Sequence, residues 1–198
     1  WDLDKFLIYG GYPGSYEYVD DYSRWYEYIK NSIIENVIGR DILQLQTINK
    51  PSLFRQAFEI LSSYPAQEIS YNKVLGQLQD KGNTDLVKRY INIYCGAFLF
   101  QALAKHGSQL FKIKTSSPKI CSLAPALSSI HFGDEIEQSQ IKGRMFEQAV
   151  AADLYRLPGE LSYWRERNYK VDFVYKFQQD LYAIEVKSER ARTVSGLD

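Results

Sequence analysis

The chain has 198 residues, of which 45% are apolar, and its 24 Lys and Arg residues balance its 24 Asp and Glu residues. A net charge of zero argues against a uniformly basic nucleic-acid-binding coat, and the apolar content excludes a wholly disordered chain. No apolar run approaches the roughly 20 residues that cross a bilayer, so we expect no membrane partner. Cys95 and Cys121 lie too far apart in the sequence for a zinc-ligand spacing, and each lies in an apolar run. Two separate buried thiols are typical of a protein from a reducing cytoplasm rather than of a disulfide scaffold.

The charge is unevenly distributed along the chain. Residues 66–119 carry a net charge of +5, whereas residues 1–65 carry −3 and residues 120–198 carry −2. A basic middle segment between acidic flanks favours a module that contacts phosphates. A lysine-rich face that only meets water is the alternative, because exposed lysines are common in any domain.

Residues 1–65 are predicted to form a helical lead-in. Apolar residues recur at three- and four-residue steps from Trp25 to Ile38, and Pro51 is well placed to start a second helix that runs to Leu61. The glycine-rich turn at 10–14 lacks the Gly-Lys-Ser/Thr of a phosphate-binding loop, so we assign it a structural role.

The next segment predicts two helices joined by a short turn. Ser70 can cap a helix over residues 71–78, and Asn83 or Thr84 can cap the following helix over residues 85–94. The turn between the helices is polar and contains glycine, which is typical of a tight connection.

A hairpin is predicted after these helices. Two strand-like runs, residues 98–103 and 110–115, flank a turn at residues 105–108. Three helices followed by a hairpin is the order of a winged helix, in which the third helix can enter the major groove and the hairpin can contact phosphates. A module that only packs against neighbouring domains is an open alternative. The residues that would contact DNA are Lys88, Arg89, Lys105, Lys112 and Lys114.

Residues 120–198 show the most specific chemical pattern, a helix followed by strands. The helix carries Glu147, the middle strand carries Asp172, and the last strand, predicted to run to residue 187, carries Glu185 and Lys187. Since strand side chains alternate between faces, Glu185 and Lys187 should point the same way, and Asp172 should meet Glu185 across the sheet. A helical Glu, a strand Asp and a strand Glu-x-Lys form the PD-(D/E)XK nuclease pattern.

This pattern predicts a Mg²⁺ site whose ligands are Asp172 and Glu185, with Glu147 as a third carboxylate. Mg²⁺ prefers oxygen ligands, lowers the pKa of a bound water and offsets charge on a scissile phosphate. Lys187 would orient or deprotonate that water and stabilise the developing charge. The alternative is a half-buried strand whose Glu and Lys form a solvated ion pair.

A family resemblance extends over almost the whole chain. It is carried, in this order, by residues 7–14, 32–43, 70–83, 116–119, 143–147, 163–165, 171–173 and 184–188. On these stretches the chain resembles the C-terminal half of bacterial AAA-type ATPases, a domain of unknown function that joins a winged helix to a PD-(D/E)XK nuclease-like fold. In this chain Ala124-Pro125-Ala126-Leu127 replaces the aspartate and Gly-Leu pair of many relatives, so any role of that acid is absent or moved.

The resemblance implies more protein on both sides of the chain. An ATPase domain should precede Trp1 and be the partner of this region, and closing elements of the nuclease-like sheet should follow Asp198. ATP would bind only in the preceding domain, because no Walker A lysine is present here.

These observations together predict an α+β chain with a helical lead-in (1–65), a winged helix (66–119) and a small mixed α/β nuclease-like domain (120–198). The predicted function is the C-terminal region of a cytoplasmic AAA-type ATP-binding protein, with a DNA-binding winged helix and a Mg²⁺-dependent nuclease-like site. The alternatives are a non-catalytic protein-interaction module and a DNA-binding regulatory module with an inactive nuclease fold. Exposure of Lys88, Arg89, Lys112 and Lys114 on one face would favour DNA binding, and burial of these four residues against another domain would favour protein interaction.

Overall fold

The computed structural model describes residues 2–45, 47–80, 82–107 and 116–187. These residues form an α+β fold, which confirms the predicted class. No described helix is long and apolar enough to span a membrane. The helices of the lead-in are, in chain order, α1 (Leu3–Tyr9), α2 (Tyr22–Glu27), α3 (Ile42–Leu45) and α4 (Pro51–Ser62).

The helical lead-in contains wider turns that its apolar pattern did not predict. Between α2 and α3 the chain forms π-helical segments over Tyr28–Ile34 and Val37–Asp41. A π-turn holds an extra residue, because its hydrogen bonds run from i to i+5. The five-residue step from Ile29 to Ile34 falls in the first segment, so both side chains are buried on the same side.

A small antiparallel sheet surrounds the strand β3 (Lys119–Ser122). Its outer strands are β1 (Gln67–Glu68) and β2 (Phe100–Leu103), in the order β1-β3-β2. The helices α5 (Tyr71–Leu75) and α6 (Thr84–Gly96) connect β1 to β2. Both helices begin as predicted, since Ser70 accepts a hydrogen bond from the Lys73 amide and Asn83 accepts one from the Leu86 amide.

Strand β2 pairs with a strand that the sequence did not predict. Among the described residues its partner is β3, whereas the predicted partner, residues 110–115 with Lys112 and Lys114, lies outside the described residues. All four residues of β3 are buried. A strand without alternating exposure gives no period-two signal, so the sequence pattern did not indicate β3.

A long helix and a second antiparallel sheet complete the fold. The elements are α7 (Ala126–Ser129), α8 (Ser139–Tyr155), β4 (Glu160–Glu166), β5 (Tyr169–Phe177) and β6 (Asp180–Ile184), and β5 lies between β4 and β6.

The last strand ends earlier than predicted. Beyond β6 the amide of Val186 donates to the carboxylate of Asp172, at 3.0 Å, instead of to a backbone carbonyl. This side-chain hydrogen bond replaces the next step of the ladder, so Glu185 and Lys187 follow the strand and do not belong to it.

The apolar core connects all parts of the described chain. The largest cluster joins the lead-in, α4 and α6, and its aromatic rings Phe54, Phe58, Tyr94 and Phe100 contact one another. A second cluster joins both sheets and α8; its buried members are Ala66, Leu103, Cys121, Ala151, Tyr163 and Phe173. A third cluster joins α1 to α8; its buried members are Leu7, Ile136, Met145 and Ala149.

Candidate functional site

The outer face of α6 is polar and exposed. Lys88 and Arg89 both face solvent, together with Asp85 and Asn92, whereas the opposite side of the helix is buried. These four side chains line one side of a groove of about 600 Å³, and Ile42 and Leu45 of α3 line the other.

The two cations on α6 make contacts that solvent can replace. Lys88 Nζ lies 3.4 Å from the carboxylate of Asp85 and 5.2 Å from the ring centre of Tyr71. Arg89 donates to the carbonyl of Thr47 at 2.8 Å. Because both side chains are exposed, these contacts leave the two charges accessible to a ligand.

Lys105 lies beside the second sheet. It is half-buried and forms a parallel β-bridge with Tyr163 of β4. Lys105 therefore borders the C-terminal sheet. The other two lysines of the predicted hairpin, Lys112 and Lys114, lie outside the described residues.

A polar cleft lies between the two sheets and α8. We call it the Lys119 cleft; its volume is about 310 Å³. Strands from both sheets and one helix contribute to its walls, so it forms only in the folded chain. Its charged lining residues are Glu68, Lys119, Arg144, Glu147, Arg165, Lys170 and Asp172.

Lys119 is a buried cation at the base of the Lys119 cleft. Its ammonium group contacts the carboxylate of Glu147 and donates to the carbonyl of Asp172 at 3.0 Å. It also lies 4.5 Å from the ring centre of Phe173. Burial raises the pKa of the Glu147 carboxyl, and the Lys119 charge partly opposes that rise.

The Asp172 carboxylate is buried and has two hydrogen-bond donors. One oxygen accepts from the amide of Val186 at 3.0 Å, and the other accepts from Lys170 Nζ at 3.3 Å. Asp172 therefore fixes the chain just beyond β6 to the middle strand of the sheet.

The four predicted catalytic residues form two separate pairs of positions. Glu147 and Asp172 line the Lys119 cleft, whereas Glu185 and Lys187 are exposed and bind each other at 2.6 Å. The hydrogen bond to Glu185 is the main reason that the pKa of Lys187 is raised, and the charges of Asp172 and Glu147 add to it. The amide of Val186, the residue between Glu185 and Lys187, donates to the Asp172 carboxylate, so the chain brings the second pair near the first.

The residues as arranged do not fit Mg²⁺. Across the described ranges, no group of three or more His, Cys, Asp and Glu side chains is placed to hold a metal ion. An oxygen of Glu147 is already bound by the ammonium of Lys119, and both oxygens of Asp172 accept hydrogen bonds. A Mg²⁺ ion needs free oxygen ligands about 2.0–2.1 Å away, which these contacts oppose.

Sequence reasoning did not assign a role to any of the four cations of the cleft. In the sequence Lys119 contributes only to the charge of the basic middle segment and to the family resemblance. The apolar residues that follow it, Ile120 and Cys121, are a signal of burial. Arg144 lies one helical turn before Glu147 on α8, and this spacing places both side chains on one face of the helix.

A serine, a histidine and a glutamate also lie close together, near the end of α4. Ser62 Oγ is 2.6 Å from His131 Nε2, and His131 Nδ1 is 3.6 Å from the Glu59 carboxylate. The arrangement is not a nucleophilic site, because Ser62 is fully buried and donates to the carbonyl of Phe58 at 2.8 Å. Burial lowers the pKa of His131 to about 4.

Two models of known protein families together match most of the chain. Residues 1–134 match the model of the domain of unknown function DUF8612, and residues 142–198 match that of the domain of unknown function DUF4143. No curated protein and no solved structure shows a significant match. Because the first match covers well over half of the chain, the protein belongs to the family of the domain of unknown function DUF8612.

Proposed function

We propose that the chain is a DNA-binding regulatory region of an AAA-type ATPase and that α6 contacts duplex DNA. The observation that carries the proposal is the exposed face of α6, where Lys88, Arg89 and Asn92 lie side by side. Arg and Asn are the side chains that most often read guanine and adenine in the major groove, and Lys contacts phosphates.

The order of elements supports this proposal. Helix α4, strand β1, helices α5 and α6 and strands β2 and β3 follow one another as in a winged helix. In that arrangement α6 is the helix that enters the groove. Its buried side fixes it in place, since Val87, Tyr90, Ile91 and Tyr94 are all in the core.

The link to an ATPase rests on resemblance and on the second family match. The domain DUF4143, which residues 142–198 match, is common in proteins associated with AAA-type ATPases. In this proposal the ATPase domain binds ATP and is the partner of the present chain. The chain would report DNA contact to that domain.

Salt-dependent binding of a fluorescent duplex tests the proposal. We expect affinity to fall steeply with salt, and the variant Lys88→Gln/Arg89→Gln to bind more weakly, with a slope about one unit flatter for each phosphate that it no longer neutralises. The control Lys30→Gln/Arg156→Gln removes two exposed cations away from α6 and should bind as the wild type does. Equal affinity of the α6 variant and the control would refute the proposal.

A further inference from the structure

We infer that the Lys119 cleft binds the phosphodiester backbone of single-stranded nucleic acid without a divalent metal ion. This site is separate from the face of α6, so it goes beyond the proposed duplex contact. Three features support it: the charge of the cleft, one cation that has no partner among the described residues, and the hairpin at the rim.

The charge of the lining favours an anionic ligand. Four cations, Lys119, Arg144, Arg165 and Lys170, face three carboxylates in this cleft. A fully ionised lining would carry a net charge of +1. Burial also makes the Glu147 carboxyl harder to ionise, which adds to the positive balance.

Arg144 is the cation that is available to a ligand. It is half-buried in the lining, and it forms no ion pair or hydrogen bond with any residue in the described part of the chain. The other three cations each bind a carboxylate: Lys119 binds Glu147, Arg165 binds Glu68 at 3.0 Å, and Lys170 binds Asp172 at 3.3 Å. A guanidinium in a cleft with no carboxylate partner can bind two phosphate oxygens at once.

Lys119 allows a phosphate to lie near Glu147 without a metal ion. A bare carboxylate in the cleft would repel a phosphate, and nuclease sites of this kind use a divalent cation to prevent that. Here the ammonium of Lys119 already neutralises Glu147 and is held in place by the carbonyl of Asp172. The ammonium of Lys119 therefore supplies the positive charge that a divalent cation supplies in those nuclease sites.

The β4–β5 hairpin extends the positive surface away from the cleft. Its turn exposes Arg167 and Tyr169, and Arg165 and Lys170 connect the turn to the cleft. Trp164 lines the cleft and Tyr169 is 74% exposed next to the hairpin turn, so two aromatic side chains lie near these cations. In sites for single strands, aromatic side chains stack on bases while nearby cations contact the phosphates.

The size of the cleft favours one strand over a duplex. A volume of about 310 Å³ holds a single small group such as one nucleotide. Further phosphates of the same strand would lie along the hairpin, where Arg167 and Lys170 are exposed.

Binding of a labelled 12-nucleotide poly-dT strand in excess EDTA tests this inference by fluorescence anisotropy. We expect Arg144→Gln to weaken binding about tenfold or more, because glutamine cannot form the charge-assisted bidentate hydrogen bonds of a guanidinium. Arg156→Gln, at the residue that follows the same helix and paired with Asp153, is the matched control and should bind as the wild type does. Lys30→Gln, which removes an exposed cation outside the cleft and outside α6, should likewise bind the strand as the wild type does.

Three results would overturn the inference. They are wild-type affinity of Arg144→Gln, binding that requires added Mg²⁺, and displacement of the strand by inorganic phosphate as effectively as by unlabelled poly-dT. The melting temperature of each variant shows whether it is folded. If Arg144→Gln is unfolded, Lys170→Gln at the exposed rim decides: weakened strand binding supports the inference, and wild-type binding overturns it.

Discussion

Lys119 Nζ lies 3.0 Å from the carbonyl oxygen of Asp172, and this contact joins the middle strands of the two sheets. Glu147 of α8 binds the same ammonium group. One buried cation therefore connects three elements that are far apart in the sequence. Unfolding experiments on variants of Lys119 and Glu147 measure how much this contact contributes to the stability of the fold, because they are made without a ligand.

Lys119→Met should destabilise the fold by about 3 kcal/mol, because it leaves the Glu147 carboxylate buried without a partner. Lys119→Met/Glu147→Met replaces both partners by apolar side chains and should recover most of that loss. Urea unfolding of the wild type and both variants measures the difference. If the double variant is as unstable as the single one, the Lys119–Glu147 pair does not carry the effect.

The free energy of unfolding should fall as pH decreases from about 6.5 to 4, in part because of His131. Burial lowers the pKa of His131 in the fold from 6.5 to about 4, so the unfolded chain binds more protons in this interval. His131→Gln has no ring to protonate, and its loss of stability between pH 7 and 5 should be smaller by about 2 kcal/mol. Parallel urea titrations at these two pH values check this, and identical losses would contradict the role of His131.

Gly11→Ala should destabilise the fold by about 3 kcal/mol. Gly11 has φ +110°, and a Cβ placed on it would clash with the Cβ of Ala124. The control is Gly96→Ala at the end of α6, where no atom lies within 4 Å of the added Cβ. Gly96→Ala should leave stability unchanged or raise it by up to about 1 kcal/mol. Thermal and urea unfolding decide; a Gly11→Ala variant as stable as Gly96→Ala would contradict the steric argument.

Asn83→Ala should reduce the free energy of unfolding by about 1 kcal/mol, because the first turn of α6 loses its side-chain cap. The Asn83 side chain accepts from the Leu86 amide at 2.8 Å. Asn83→Asp keeps an acceptor at this position and should retain most of the stability. Urea unfolding compares the three proteins, and equal stability of Asn83→Ala and wild type would show that the cap contributes nothing measurable.

The parts of the fold that could be predicted from the sequence have strong local signals. Pro51 marks the start of α4, and Ser70 and Asn83 mark the starts of α5 and α6. These residues act on the nearest turn of backbone, so no knowledge of distant contacts is needed to place them. The alternation of apolar and polar residues similarly predicted the strands that carry Asp172 and Ile184.

The parts that could not be predicted depend on contacts between distant residues. The pairing of β2 with β3 crosses residues 104–118, and a fully buried strand such as β3 has no alternation to identify it. For the same reason, the sequence indicated only some of the residues that line the Lys119 cleft. The Glu147 and Asp172 positions follow from the motif, but the ammonium of Lys119 between them depends on how the two sheets meet.

Leu7 belongs to one buried apolar cluster with Met145 and Ala149, and this limits how the protein can be divided. The first family match ends at residue 134 and the second begins at residue 142, yet α1, from the first match, packs on α8, from the second. A chain cut between them would leave an uncovered apolar surface on each fragment. The two fragments should therefore aggregate when expressed separately and form one stable heterodimer when expressed in the same cell.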